Sequence, residues 1–261
     1  MTTLLRRSKW QIWKDVIFSL MVRQVRTSFA DKFGLSWAII QPVSFIFILS
    51  FIRGRLDGGE TYSMPTFVFM AYGLVIIQLF LQVFQSSSNG IKRSKPLFAF
   101  RQVQPISPVI AAGLFEGVVK LFVILCMAVI MYFLSIELRL DDPLLVILNL
   151  FSLCLFSMSL GLICGLVSAF IPEMDKVFSL LTRPLFFISG VFFSLRDFPP
   201  EIWWALDWNP ILHAIELSRG AAYSSYNEVG VSQAYVIEVT MVTTFIALVF
   251  YRATWKRALG Q

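Results

Sequence analysis

Charge is scarce in this 261-residue chain: 15% of residues are charged against 57% hydrophobic, and the mean hydropathy is +0.74. A soluble domain carries roughly a quarter charged residues, so a large water-exposed domain is excluded. Histidine occurs once, as His213, and one imidazole cannot build a metal site. The three cysteines, Cys126, Cys154 and Cys164, have neither metal-ligand spacing nor a disulfide framework; they read as small buried hydrophobes. No G-x-x-x-x-G-K-[ST] stretch occurs, so ATP cannot bind here through that loop. No H-E-x-x-H or G-x-S-x-G stretch occurs either, and an enzyme reading has little support. No apolar core of a cleavable signal forms near the start, because Lys9, Lys14 and Asp15 follow Arg6 and Arg7. The inverted halves of many secondary transporters are not evident.

Long apolar runs are what the chain does have. Six segments are expected to cross a membrane, near Gly34–Ile52, Met64–Gln85, Val109–Ser135, Leu144–Phe170, Val177–Ser194 and Ala234–Tyr251. About twenty helical residues match a hydrocarbon core of about 30 Å. The expected fold is therefore an all-α polytopic membrane protein with six transmembrane helices. Residues 1–33 form an N-terminal segment with an interfacial helix, 34–252 the spans, and 253–261 a tail. With the N-terminus inside, fifteen Lys and Arg fall on interior segments and five on exterior ones. This bias places both termini in the cytoplasm. It also accounts for the net charge of +6 without nucleic acid as a partner.

The interior segments carry candidate contacts. Trp10–Val25 reads as an amphipathic helix at the headgroup level, with Trp10, Trp13, Ile17 and Leu20 near one face. The loop Ser86–Pro108 joins basic Lys92, Arg93 and Lys95 to apolar Leu97, Phe98 and Phe100. Ser88 or Asn89 is placed to cap a short helix there. Two readings stand, a dock for a protein or a loop held on anionic lipid. The turn Pro172, Glu173 to Lys176 is acidic at Glu173 and Asp175, which favours a protein contact over a lipid one.

Glu116 and Lys120 stand inside the third span in the favourable i,i+4 order for an ion pair. Such a pair either specifies packing or meets a polar substrate. Arg183, before Pro184 in the fifth span, either snorkels to headgroups or faces a cavity. Between the last two spans runs WWALDWNPILHAIELS, Trp203–Ser218, apolar and aromatic but broken by proline and acids. Backbone that enters a bilayer without crossing has to line protein or water. Re-entrant helices are therefore expected over 199–223, with Asn209 as cap and Pro210 at the first helical position. The helix from Ile211 to about Tyr223 is too short to span, and its apolar face is expected to dip into the outer leaflet. Glu216 and Arg219 are spaced to pair. Trp203, Trp204 and Trp208 form either an interfacial belt or a stacking surface for sugars.

These residues carry a resemblance. VRQVRTSFADKFGLSWAIIQP (Val22–Pro42), PLFAFRQVQPI (Pro96–Ile106), IPEMDKV (Ile171–Val177), RPLFFISGVFFSLRDFP (Arg183–Pro199) and WNPILHAIELSRGA (Trp208–Ala221) occur in that order. Together they are similar to the membrane-spanning permease of bacterial capsular polysaccharide exporters of the ATP-binding-cassette superfamily, of the polysialic acid or group 2 capsule type. The resemblance implies a homodimer in the inner membrane with two copies of a separate cytoplasmic ATPase subunit, which binds the ATP and Mg; this chain holds no cofactor. It implies coupling through Asn89, Lys92, Arg93, Lys95, Leu97 and Phe98, and through Pro172, Glu173 and Asp175. It implies as cargo a lipid-linked, usually acidic polysaccharide, handed to periplasmic co-polymerase-like and outer-membrane proteins. Groove candidates, chosen for stacking and anion attraction, are Trp37, Gln41 and Ser44 with Arg183, Phe186, Phe187, Ser189 and Phe192. The alternatives are an O-antigen or teichoic-acid exporter and an ATPase-independent channel or secondary transporter.

Overall fold

A computed structural model describes residues 8–28, 34–56, 58–100 and 102–258. Arg6, Arg7, Lys32 and Arg101 of the charge bias, and the extreme ends of the chain, lie outside the described residues. The described residues form eight α-helices: α1 Lys9–Ser28, α2 Gly34–Leu56, α3 Thr66–Arg93, α4 Ile106–Phe133, α5 Pro143–Phe170, α6 Met174–Ile188, α7 Pro210–Ala222 and α8 Gln233–Ala258. A two-residue hairpin links α2 to α3, with β1 (Glu60–Thr61) antiparallel to β2 (Met64–Pro65). Its turn residues Tyr62 and Ser63 both have positive φ, 52° and 60°, as a tight two-residue turn between twisted strands requires.

Five of the helices, α2, α3, α4, α5 and α8, are long and apolar enough to cross a membrane. The hub is α3. Of its most apolar window 78% is buried, against 17% for α2 and α8, so the latter two turn their hydrophobic sides outward. α3 is also longer than its apolar run predicts. Ser88 and Asn89 lie inside the helix instead of capping a new one, because Ser87, Gly90 and Ile91 are buried. The seam is with α5, where Gly161 and Gly165 take the place of side chains. A Cβ on Gly161 would stand 2.6 Å from that of Ser87, and one on Gly165 would stand 2.6 Å from the Ser88 carbonyl oxygen. Small residues a turn apart let two membrane helices approach backbone to backbone.

The fifth expected span differs most. α6 has 15 residues, about 22 Å at about 1.5 Å per residue, and ends at a turn where Gly190 takes φ +73°. The reason is a competition for carbonyls. Gly190, Val191 and Phe193 offer their oxygens to the Arg219 guanidinium, so no helical N–H receives them. α1 packs along α4 with Leu20 buried, while Trp10 remains 60% exposed and stacks on Trp13 at 5.0 Å.

Candidate functional site

Four amide side chains, Gln78, Gln82, Gln85 and Asn89, repeat along α3 at spacings of four, three and four residues. That is the period of one helix face. Two clefts open on this face. One, of about 690 Å³, lies between α2, α3 and α4; Gln41, Phe45 and Glu116 face the whole amide row across it. The other, of about 670 Å³, lies between α3 and α6, where Gln85 and Asn89 meet Thr182, Arg183, Phe186 and Phe187. Gln85 and Asn89 border both. An amide offers donors and acceptors without charge, and the phenylalanines offer faces. The combination can hold hydroxyl-rich, ring-shaped molecules while leaving them free to slide.

Of the groove candidates, Gln41, Arg183, Phe186 and Phe187 line these clefts. Phe192 stands behind them, packed edge-on to Phe186 at 5.5 Å. Ser189 is buried and its hydroxyl is taken up by Leu185 and Asn209, so it faces no cleft. Trp37 is 60% exposed, and neither it nor Ser44 lines either cleft. The amide row itself escapes a reading of the apolar runs. Its signal is the helical spacing of polar residues within a segment that otherwise looks uniformly hydrophobic.

The pairing expected between Glu116 and Lys120 gives way to contacts with α3. The Ser86 hydroxyl donates to Glu116 at 2.5 Å, and the Lys120 ammonium donates to the Gln78 carbonyl oxygen at 3.1 Å. A packed neighbouring helix supplies partners that a lone helix lacks, and a buried charge needs them. Lys120 therefore orients the first amide of the row.

At the opposite end of α3 sits α7. Asn209 caps it, accepting from the Ile211 N–H at 3.0 Å with Pro210 next. Contrary to the expectation of a leaflet-dipping face, α7 is enclosed by protein. Glu216 and Arg219 are fully buried and paired at 2.9 Å. Glu216 also accepts from Ser194 and Tyr226. Arg219 donates to the carbonyls of Phe69, Gly190 and Val191. Gly73 makes room, since a Cβ there would meet the guanidinium at 2.7 Å. Trp203 and Trp208 donate their indole N–H groups to backbone carbonyls of Phe198 and Ala205, and Trp204 is 75% exposed.

His213 ties α7 to the start of α8. Its Nδ1 accepts from the Ser232 N–H at 3.0 Å, so its Nε2 carries the proton and donates to the Asp207 carbonyl at 2.6 Å. Burial holds its pKa below the ordinary 6.5, with the Asp207 contact opposing. An imidazolium would lose the Ser232 bond. Below about pH 6.5 the unfolded chain takes up a proton that the folded protein resists, so stability falls with pH. The melting temperature of the purified protein is expected to drop between about pH 7.5 and pH 5, and His213→Gln to flatten that slope. Equal slopes would refute the assignment.

At the α1 end, Lys92 and Asp175 pair at 3.2 Å, joining the two segments read as coupling surfaces. A 3-10 turn over Lys95–Ala99 follows α3. Lys95, Arg93, Pro172 and Glu173 are exposed and Leu97 half-buried. Phe98 is buried, packed with Ile91, Val109 and Leu166. The exposed aromatic is Phe100 instead, at 64%.

Comparison with known proteins accords with this arrangement. The chain is 33% identical over 247 residues to the "Polysialic acid transport protein KpsM" of Escherichia coli, covering 94% of this chain and 96% of that one. It is 24% identical over 233 residues to the "Capsule polysaccharide export inner-membrane protein CtrC" of Neisseria meningitidis serogroup B, covering 86% of each. It is 25% identical over 227 residues to the "Capsule polysaccharide export inner-membrane protein BexB" of Haemophilus influenzae, covering 82% and 83%. The model of the ABC-2 type transporter family matches residues 15–223, and the chain belongs to that family.

Proposed function

We propose that this chain is the permease of an exporter that moves lipid-linked capsular polysaccharide across the bacterial inner membrane. The observation that carries the reading is the uncovered stretch of α3 with Gln82, Gln85 and Asn89, flanked by Phe186, Phe187 and Arg183. Inside a membrane, unpaired amides on a helix surface are costly unless water or a polar ligand meets them. A polymer of sugars supplies hydroxyls for the amides, ring faces for the phenylalanines, and carboxylates for Arg183 when the sugar is acidic. End-to-end similarity to relatives named for capsule polysaccharide export supports the cargo class.

The two clefts share Gln85 and Asn89, and a second copy placed against that face would close a passage. In this reading α1 and both termini lie in the cytoplasm, which the basic bias supports. There the Lys92–Asp175 junction, with Lys95, Leu97, Pro172 and Glu173, would receive a separate ATPase subunit that holds ATP and Mg. Its closing and reopening would reach α3 and α6 together as rigid displacement. In this reading α6 with Ser189–Ser194 completes a sixth crossing. The segment 199–223 then folds back as re-entrant helices at the outer mouth, from which periplasmic and outer-membrane proteins take the polymer.

The test is a double variant, Gln82→Leu with Gln85→Leu, compared with the parent for surface polymer and for the ATPase recovered with the tagged protein. Each lost amide contact removes about 1 kcal/mol, so surface polymer is expected to fall at least about tenfold while the ATPase still co-purifies. Undiminished export would remove the amide face from the path. Transport by the isolated chain on an ion gradient would remove the exporter reading altogether.

A further inference from the structure

α1 separates two cavities of opposite character. On one side Leu20, Arg23, Gln24 and Thr27 border a cavity of about 430 Å³ shared with Arg93 and Ser94 at the end of α3. About a third of a helical turn round, Met21 and Val25 border a groove of about 250 Å³ with no polar lining, completed by Ile39, Phe115, Val118 and Phe122. The two follow one another along α4. Ala111 and Ala112 floor the first, and the next turns of the same helix floor the second. From Ala111 to Phe122 the axial distance is about 16 Å at about 1.5 Å per residue, close to one leaflet of a core of about 30 Å.

The charge is one-sided. Among the described residues the first cavity has two arginines in its wall and no carboxylate. Arg23 spends one N–H on the Ser94 hydroxyl at 3.0 Å, and a guanidinium carries five. The carboxylates nearby belong to the adjoining spaces: Glu116, which takes the Ser86 hydroxyl, lines the amide cleft that Arg93 also borders, and Asp15 lines the groove beyond Leu20 and Arg23. Two guanidinium groups in one cavity, with an apolar groove beginning about one turn further along α4 at Phe115, match a phosphate carried on an acyl chain.

We propose that this site holds an anionic phospholipid of the surrounding leaflet, its phosphate between Arg23 and Arg93 and one acyl chain along Val25, Ile39, Phe115 and Phe122. The proposal goes beyond the export reading, since it needs a bilayer and no cargo. A zwitterionic lipid is disfavoured because the described wall offers two cations to its phosphate and no carboxylate to its own cation. The bound lipid fills the space under α1 and fixes how α1 sits on α4.

The full chain, purified in mild detergent with whatever subunit accompanies it, is incubated with phosphatidylglycerol or phosphatidylcholine and weighed by native mass spectrometry. One phosphatidylglycerol per chain is expected to persist at least about tenfold more than phosphatidylcholine. R23Q with R93Q is expected to abolish that preference, while R26Q, outside the lining, keeps it. Inorganic phosphate, which has no chain to lay in the groove, is expected not to displace the lipid. Equal retention of the two lipids, displacement by phosphate, or an unchanged preference in the double variant would each overturn the assignment. Should the double variant not fold, the parent's choice between the two lipids decides alone.

Discussion

Arg219→Ala is expected to leave little folded protein in the membrane. The side chain is fully buried with Glu216 and lies over the Phe69 ring, 3.5 Å from its centroid. It satisfies carbonyls on α3 and on the chain after α6 at once. Removing it orphans those oxygens and strands the Glu216 carboxylate, leaving only the Ser194 and Tyr226 hydroxyls as its donors. Breaking a buried pair at one partner costs about 3–5 kcal/mol, and a domain's whole stability is about 5–15 kcal/mol. Glu216→Gln is expected to cost less, because the amide oxygen still accepts from Ser194 and Tyr226. The double change Arg219→Met with Glu216→Leu is expected to recover part of the loss, since no charge is then stranded. The readout is the yield of monodisperse protein after detergent extraction and its melting temperature. A parent-like melt for Arg219→Ala would mean that the network does not hold the α7 end together.

The same network explains which parts of the fold were open to reading in the residues and which were not. The crossing helices declare themselves because a bilayer demands about twenty apolar residues wherever the backbone crosses it. The α7 start is equally plain, since Asn209 and Pro210 act locally. The end of α6 is not local. The chain stays mostly apolar from Leu185 to Phe193, and Arg219, 29 positions beyond Gly190, draws the carbonyls out of the helix. Glu116 and Lys120 make the same point in reverse. Their spacing suits a pair within α4, and α3 outbids it with Ser86 and Gln78. Phe98 looks like a docking aromatic beside basic residues, yet the chain's own second core takes it and leaves Phe100 outside. Of the two clefts on α3, Gln41, Arg183, Phe186 and Phe187 are legible from chemistry and position. The amide row is legible only to someone counting in helical turns through an apolar run.

Gly161→Ala and Gly117→Ala are expected to move stability in opposite directions, although each adds one methyl to a membrane helix. At Gly161 the new Cβ would lie 2.6 Å from the Ser87 Cβ and 2.9 Å from the Phe84 carbonyl oxygen. Neither obstacle can swing aside, because one is a side-chain root and the other is backbone of the hub helix. α3 is also buried at Phe80, Val83, Phe84 and Ile91 around this contact, so the strain is expected to separate α3 from α5. Overpacking of this kind costs about 1–3 kcal/mol; Gly161→Leu, with more atoms in the same gap, is expected to exceed it. Lipid does not push helices together as water does, so lost packing between them is not made up elsewhere. At Gly117 on α4 a Cβ meets nothing within 4 Å. There the change keeps only the helix-propensity gain of about 1 kcal/mol. The separation of α3 from α5 also tilts the face that carries Gln85 and Asn89, so Gly161→Ala is expected to lower transport even in the fraction that folds. Melting temperatures of the two variants beside the parent decide the matter. If Gly161→Ala melts at or above the parent, α3 and α5 do not meet at that glycine.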